Sequence, residues 1–280
     1  MARFRLVAID LDGTLLDSHR SVPEVNRTAL ERAQRKGVKL AVVTGRRLPS
    51  ARPYLSHLRL DLLMVLNGGA LIQRGLDGPV LERKLIPLAV SQEVLRLASQ
   101  MRAVPVVDDG SDGEGRLLIE SGAPVSPSLE AYLDKTTPPP FRVSHLAAAL
   151  EKNPLQIMFA GSISQMRATA DGLQKKLGSR LALALTEYPT SDFAILDVVA
   201  AGASKGEALR FLADREGILP GETMAIGDNW NDLGMLEAAG LAVVMGNACP
   251  ELRSRGFAVT GSNDEGGVAQ AIERYVLSES

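Results

Sequence analysis

The chain has 280 residues, of which 45% are hydrophobic and 23% are charged, a composition typical of a globular protein with one large or two modest domains. Its 31 basic and 33 acidic residues leave a net charge of −2, which argues against nucleic acid or an anionic membrane as a partner. No apolar run approaches the ~20 residues that cross a bilayer, and the first one ends at Asp10, too early for a secretory signal. With Cys249 as the only cysteine, we expect a cytoplasmic protein without disulfides.

The first predicted strand, residues 6–9, runs directly into Asp10-Leu11-Asp12-Gly13-Thr14. Alternate side chains of a strand point the same way, so Asp10 and Asp12 can point together, and Gly13 permits a sharp turn. Two carboxylates this close repel each other. Their pairing is explained if a divalent cation lies between them, or if one acts as a nucleophile while the other transfers a proton. On this stretch alone, a simple Asp-Gly β-turn remains the alternative.

Four further predicted strands each end in a cluster of polar residues and glycine. They cover residues 38–43, 62–66, 224–226 and 241–245, and the clusters are Thr44-Gly45-Arg46, Asn67-Gly68-Gly69, Gly227-Asp228-Asn229 and Gly246-Asn247. Continuous Val, Ile, Leu and Ala runs are typical of strands buried on both faces of a parallel sheet. Amphipathic stretches at 23–36, 205–216 and 233–239 predict helices between them. We therefore predict a Rossmann-like, doubly wound α/β core, in which ligands bind beyond the carboxyl ends of the strands.

The middle of the chain predicts an inserted α+β domain. Helices are expected at 89–101, 128–135 and 164–177, and strands at 104–107, 116–121, 155–160, 181–186 and 193–198. The predicted domains are therefore 1–84 and 199–280 for the core and 85–198 for the insertion. The acidic stretch 108–115 fits neither register of a calcium loop, so we interpret it as a solvated loop.

Four more residues are candidates, and three of them have structural alternatives. Thr44 and the backbone N–H groups that follow it suit an anion, although Thr44 could simply cap a turn. Lys205 opens a predicted helix, where its charge opposes the helix dipole, so we expect an anionic partner rather than a solvated lysine. Asp228 follows a buried strand and can join Asp10 and Asp12 around one ion, and oxygen ligands alone suit Mg²⁺. We expect Asp232 to contact a metal-binding residue rather than the ion itself, and its structural alternative is to cap the helix that follows.

These motifs, in this order and spacing, resemble the four motifs of the haloacid dehalogenase (HAD) superfamily of phosphatases. The motifs are Asp10-x-Asp12-Gly13-Thr14, Thr44-Gly45-Arg46, Lys205 and Gly227-Asp228-x-x-Asn231-Asp232. The insertion is similar to the type IIB cap of the Cof-type hydrolases, and Asn67-Gly68-Gly69, Gly246-Asn247-Ala248 and residues 264–268 also resemble that family. Arg255-Gly256-Phe257 departs from the usual pattern, and the cap sequence around 108–127 resembles no particular member.

The resemblance implies a Mg²⁺-dependent phosphatase that hydrolyses small phosphomonoesters, such as sugar phosphates, through an aspartyl-phosphate. It implies that Asp10 is the nucleophile and Asp12 the general acid and base. It implies a magnesium site made of the Asp10 and Asp228 side chains and the Asp12 main-chain carbonyl. It places Leu11, Thr44, Gly45, Lys205 and Asn231 around the phosphate, with Arg46, Asn67, Gly68 and Asp232 in support. The cap is expected to select the leaving group, in a monomer or a small homo-oligomer.

Three other functions use similar residues. A receiver-like switch also takes phosphate on an aspartate, but it would hold the phosphoenzyme far longer than the seconds or less of a phosphatase. A phosphomutase on the same fold would return the phosphate to a bound sugar. A member of the fold that only binds sugar phosphate would not need Asp10, Asp12, Lys205 and Asp228 together.

Overall fold

The computed structural model describes residues 3–110, 115–134, 136 and 138–278, and these contain fourteen β-strands and ten α-helices. The strands are β1 Leu6–Asp10, β2 Lys39–Val43, β3 Leu62–Leu66, β4 Leu71–Arg74, β5 Val80–Arg83, β6 Val106–Asp108, β7 Leu117–Glu120, β8 Phe141–Val143, β9 Gln156–Gly161, β10 Leu181–Tyr188, β11 Phe193–Ala200, β12 Thr223–Gly227, β13 Leu241–Val244 and β14 Ala258–Val259. The helices are α1 Glu24–Arg35, α2 Leu48–Leu55, α3 Leu88–Gln100, α4 Pro127–Leu133, α5 Leu146–Ala149, α6 Ile163–Leu177, α7 Lys205–Arg215, α8 Leu233–Ala238, α9 Pro250–Arg253 and α10 Gly267–Ile272. A π-helical turn, Glu273–Leu277, follows α10.

The larger sheet confirms the predicted doubly wound α/β core. Its strand order is β14-β13-β12-β1-β2-β3-β4-β5, and the six strands from β14 to β3 are parallel. From β1 the chain moves outward to β2 and β3 on one side, whereas β12 pairs with β1 on the other side. This reversal of strand order lies beside β1, and sheets of this kind bind ligands at the carboxyl ends of the strands next to such a reversal, here β1 and β12.

The strands of this sheet are buried because they are apolar on both faces. Every residue of β1, β3 and β12 is buried. Apolar residues of α7 and α8, among them Leu209 and Met235, pack with Leu6 and Ala8 against one face of the sheet. Each fully buried side chain of this kind contributes about 1.5–3 kcal/mol through the hydrophobic effect. The polar residues at the strand ends therefore project from a rigid support.

The smaller sheet belongs to a predominantly antiparallel α+β unit, as predicted for the insertion. Its strand order is β10-β11-β9-β6-β7-β8. Among the described residues, β7 and β8 pair in parallel, and the other neighbouring strands pair antiparallel. Helices α3, α5 and α6 cover one face with an apolar cluster, and Leu129 and Leu133 of α4 pack on the other. Each face of this sheet thus contributes to a hydrophobic core within the unit.

The described residues form two compact units. The first comprises the chain up to Thr44, Ala51–Leu81 and the chain from Ser204 onward, and it contains the larger sheet. The second comprises Gly45–Ser50 and Glu82–Ala203. The boundaries predicted after residues 84 and 198 stay predictions. No helix of the described chain is both long and apolar enough to cross a membrane.

The interpretation of residues 108–115 as a solvated loop is wrong for its first residue. Asp108 ends β6 with only 3% of its surface exposed, and its Oδ1 accepts the N–H of Gly110 at 3.0 Å. Strand β6 begins two residues later than the predicted strand 104–107 and ends one residue later, at Asp108, because Asp108 pairs with Gln156 in β9. Residues 111–114 of this loop, and Lys135 at the end predicted for the short helix, lie outside the described residues.

Candidate active site

Asp10 is the last residue of β1, and its side chain is only 7% exposed. Its Oδ1 accepts a hydrogen bond of 2.5 Å from Nζ of Lys205, which is the first residue of α7. The helix begins there because the Ser204 hydroxyl accepts the N–H of Glu207, as an N-cap residue does. The local sequence therefore fixes the place of the lysine, and the sheet fixes the place of the aspartate.

Lys205 has a second carboxylate partner, Asp232. Its Nζ donates to Oδ1 of Asp232 at 2.6 Å, and Asp232 is fully buried. The second oxygen of Asp232 accepts the N–H groups of Asp228 and Asn229 at 3.0 and 3.1 Å. Asp232 therefore ties the lysine to the loop that follows β12.

Asp228 lies directly after β12 and faces the turn that follows β1. Oγ1 of Thr14 donates to Oδ1 of Asp228 at 3.0 Å, and Thr14 itself is fully buried. A Cβ atom added to Gly13 would lie 2.5 Å from Oδ2 of Asp228, and Gly13 has a left-handed φ of +78°. Only glycine meets both conditions without strain, which explains why the motif requires it there.

The arrangement fits a divalent cation. Asp10, Asp228 and Asp232 each offer a carboxylate oxygen, and these oxygens lie within 4.8 Å of one another. Both oxygens of Asp232 already accept hydrogen bonds, so Asp10 and Asp228 are the carboxylates better suited to hold the ion. Oxygen ligands at this separation suit Mg²⁺. Among the described residues, the carboxylate of Asp12 is not part of this group.

Residues 7–272 of the chain match the model of a family described as haloacid dehalogenase-like hydrolases. The chain belongs to this family. YxeH of Bacillus subtilis is 31% identical over 282 residues, which cover 99% of this chain and 100% of YxeH. The pyridoxal phosphate phosphatase YbhA of Escherichia coli is 28% identical over 283 residues, which cover 98% of this chain and 99% of YbhA.

A solved structure confirms the fold. It is that of a HAD subclass IIB sugar phosphatase, with a TM-score of 0.79 and 24% identity, and the match covers 97% of this chain and 98% of the other. At this identity the likeness concerns the fold alone. The match over residues 7–272, together with the relatives named as phosphatases, identifies the chain as a HAD phosphatase, a phosphoric monoester hydrolase. The solved structure adds that the chain has the fold of the type IIB members.

The electrostatics of this HAD site follow from burial. Burial raises the pKa of Asp10 well above its usual value, and the charges of Asp232 and Asp228 raise it further, while Lys205 lowers it. Burial and the charge of Asp232 raise the pKa of Asp228 to about 7, against the lowering effect of the Thr14 hydrogen bond. Burial alone would lower the pKa of Lys205, but the two carboxylates outweigh it and raise that pKa. A single lysine therefore neutralises the cluster only in part, and a bound cation would relieve the remaining repulsion.

The raised pKa of Asp228 predicts a stability effect that depends on pH. Between 3.8, its ordinary value, and about 7, the folded state binds more protons than the unfolded state, so folding loses stability as pH rises through this window. Asp228→Asn removes this loss and keeps an acceptor for Thr14. We expect the variant, without divalent cations, to gain free energy of unfolding relative to the wild type from about pH 4 to about pH 7, and then to level off. Urea denaturation in a chelator measures the difference, and a difference that does not change with pH would contradict the assignment.

The second predicted motif and the Asn67 turn lie at the ends of neighbouring strands. Thr44 is buried directly after β2, and its N–H donates to the carbonyl of Val65 at 2.8 Å. Its carbonyl accepts the N–H of Gly68 at 3.0 Å, within the 3₁₀ turn Asn67–Gly69. A Cβ atom on Gly69 would lie 2.3 Å from the carbonyl oxygen of Ser204, so the turn packs tightly against the start of α7. The turn thereby supports the helix that presents the lysine.

The remaining predicted residues are placed as follows. Leu11 is fully buried next to Asp10, and Asp12 is half-buried in the turn that follows. Asn231 is half-buried in the 3₁₀ turn Trp230–Asp232. Gly45 and Arg46 belong to the second compact unit, in which Nη1 of Arg46 donates to the Ser50 carbonyl at 3.2 Å.

The sequence does not indicate the partners of Thr14 or of two asparagines near the end of the chain. Thr14 belongs to a predicted motif, but its partner, Asp228, is 214 residues away. Asn247 donates to the Gly13 carbonyl, and Asn263 donates to the Leu16 carbonyl. The position of Asn247 after a buried strand was the available signal, since the other strand ends carry the site.

Proposed function

We propose that this HAD phosphatase is Mg²⁺-dependent and that it hydrolyses small phosphomonoesters, sugar phosphates among them, through an aspartyl-phosphate on Asp10. The proposal rests above all on the buried Asp10 at the strand-order reversal, which is bonded to Lys205 and close to Asp228. A nucleophilic carboxylate requires a fixed position and a shield from water, and burial at the end of a rigid strand supplies both.

In the first step, a carboxylate oxygen of Asp10 forms a bond to phosphorus in line with the leaving oxygen. The bond from phosphorus to that oxygen breaks, and Asp12 donates a proton to the departing alcohol. In the second step, Asp12 takes a proton from a water molecule, whose oxygen attacks phosphorus and releases phosphate and Asp10. Asp12 is suited to both transfers because it lies two residues from the nucleophile and is half-buried rather than enclosed.

The side chains of Asp10 and Asp228 and the main-chain carbonyl of Asp12 would hold Mg²⁺. The ion, when bound, offsets the repulsion between the phosphoryl group and the acidic cluster.

The phosphate oxygens require donors that the chain itself supplies. The ammonium group of Lys205 can donate three hydrogen bonds. Among the described residues it donates to Asp10 and to Asp232, so its third proton can reach a phosphate oxygen. The Thr44 hydroxyl, the N–H groups of Leu11 and Gly45, and the Asn231 side chain are the other proposed donors. Such fixed donors stabilise the charge that develops on a transferring phosphoryl group.

The decisive experiment measures phosphate release from a panel of small phosphomonoesters with and without Mg²⁺. The panel includes sugar phosphates, and also pyridoxal phosphate because YbhA is named for it. Turnover that requires Mg²⁺, together with a phosphoenzyme that forms and decays within seconds, supports the proposal. A phosphoenzyme that persists for much longer would favour a switch, and transfer to a second sugar position without phosphate release would favour a mutase.

The role of Asp12 predicts a dependence on the leaving group. Asp12→Ala should lose more turnover with an alkyl phosphate than with an activated aryl phosphate, since only the poor leaving group needs its proton. General acid catalysis contributes roughly 10²–10⁴-fold, so the two losses should differ by at least about tenfold. The comparison is made with one sugar phosphate and one nitrophenyl phosphate, and Asp77→Ala, at a surface ion pair, serves as the control. Equal losses with both substrates would argue against the acid role.

A further inference from the structure

The loop after β1 carries the chemistry, and its backbone forms a single compact turn. The N–H of Leu15 donates to the carbonyl of Asp10 at 3.2 Å, and the N–H of Leu16 donates to the carbonyl of Leu11 at 2.9 Å. The carbonyl groups of residues 13, 15 and 16 are not used by these bonds. Leu15 and Leu16 are buried, so their carbonyl groups need other donors, since an unpaired buried carbonyl is costly.

Three asparagine side chains approach these three carbonyl groups. Nδ2 of Asn247 donates to the Gly13 carbonyl at 2.8 Å, and Nδ2 of Asn263 donates to the Leu16 carbonyl at 3.0 Å. Nδ2 of Asn26 lies 3.5 Å from the Leu15 carbonyl, a longer contact. The three asparagines, which we call the asparagine clamp, come from two distant parts of the chain.

The clamp is itself fixed by bonds to its oxygen atoms. Oδ1 of Asn247 accepts the N–H of Asn263 at 3.0 Å, and Oδ1 of Asn26 accepts the N–H of Ala269 at 2.9 Å. A carboxamide can donate and accept at once, which neither a carboxylate nor an apolar side chain can do. Asn247 therefore connects the segment after β13 to the loop after β1, although β12 lies between these two strands in the sheet.

We propose that Asn247 is a positioning residue that holds the Gly13 peptide, and with it the loop after the nucleophile, against Asp228. The proposal rests on the proposed function, which gives Asp10 and Asp228 their roles. Gly13 lies close against Asp228, because a Cβ atom added to it would lie only 2.5 Å from Oδ2. The next residue, Thr14, donates to the same carboxylate. A displaced Gly13 would therefore shift Asp12, Thr14 and the orientation of Asp228 together.

Asn247 allows a clean test because its side chain is exposed, so that a substitution does not bury a charge. Asn247→Asp keeps the acceptor for Asn263, loses the donor to Gly13 and adds a negative charge. Asn247→Ala loses both bonds and adds no charge, so it separates the loss of the donor from the effect of a new negative charge. Asn153→Ala is the matched control, since Asn153 is also exposed and its side chain accepts only the N–H of Leu88 among the described residues.

Two measurements are made on the full-length chain: steady-state kinetics with Mg²⁺ and one phosphomonoester, and deuterium uptake of residues 11–18 without Mg²⁺. We expect both Asn247 variants to lower kcat by about tenfold and to change KM by less than about twofold, because small displacements of catalytic groups are costly in rate. We also expect faster uptake in residues 11–18, where the amides of Leu15 and Leu16 are protected by the turn. The control should match the wild type in both measurements.

Each other result overturns the positioning role. A higher KM with unchanged kcat would mean that Asn247 contacts substrate instead. A lower kcat with unchanged uptake would mean that the loop does not depend on Asn247. If the wild type itself shows no turnover, the proposed function fails, and the uptake measurement alone then decides whether Asn247 holds the loop.

Discussion

Asp10→Asn is expected to lower turnover by more than about a thousandfold and to leave the fold intact, as the loss of a nucleophile does in other covalent catalysts. A carboxamide oxygen cannot form the acyl-phosphate, although it can still accept the hydrogen bond from Lys205 that the structure shows at 2.5 Å. The substitution also removes one negative charge from a buried site, where the charges of Asp232 and Asp228 raise the pKa of Asp10. The variant should therefore be at least as stable as the wild type at neutral pH.

Phosphate release tests the expected loss of turnover. Thermal unfolding of the same preparation, without added metal, tests the expected stability. Asp77→Asn is the control, because Asp77 pairs with Arg52 at the surface and its side chain is 82% exposed. Activity above a few per cent in the Asp10 variant would remove Asp10 as the nucleophile. A variant that unfolds at a clearly lower temperature would show instead that the charge of Asp10 is needed to balance Lys205.

The parallel core was predictable because its strands carry their own signal. Residues 62–66 form β3 with the predicted bounds, and the runs that precede Asp10, Thr44 and Asp228 form β1, β2 and β12 within one or two residues. A strand that is apolar on both faces is typical of a parallel sheet covered by helices on both sides, and polar residues that follow such a strand lie at the edge of the sheet. These two physical constraints were enough to expect that Asp10 and Asp228 meet.

The elements that escaped prediction have weak local signals. β4 and β5 extend the core sheet at its edge, with β4 antiparallel to β3, and β14 is only two residues long. Helix α2 contains Pro53, which normally ends a helix, and α5 and α9 have four residues each. Such short elements are stabilised by tertiary packing rather than by their own sequence, so periodicity cannot find them.

The partners of the site residues were only partly predictable for the same reason. The sequence indicates that Lys205 needs an anion, because a lysine at the start of a helix opposes the dipole. It does not say that two carboxylates, Asp10 and Asp232, share the lysine, since 195 and 27 residues separate them from it. Only the packing of α7 against the sheet brings the three groups together.

Lys205→Met is expected to destabilise the protein by about 3–5 kcal/mol and to abolish turnover, because it leaves Asp10 and Asp232 buried without their cation. Since the lysine lowers the pKa of Asp10, its removal raises that pKa further above 3.8. The folded variant then binds extra protons in this range, and its stability falls as pH rises. The loss relative to the wild type should therefore be largest near neutral pH and should shrink on acidification.

Lys39→Met is the matched control for this substitution in the same compact unit. Lys39 pairs with Glu216 at 2.8 Å, but its side chain is 41% exposed against 5% for Lys205, so its loss should cost about 0–1 kcal/mol. Adding Asp232→Asn to Lys205→Met should recover part of the stability and none of the activity, since it removes a buried charge but restores no donor for phosphate. Urea denaturation of the four proteins at two pH values gives these differences. If both lysine variants lose the same stability at either pH, Lys205 does not neutralise the buried cluster, and its role would be restricted to the substrate.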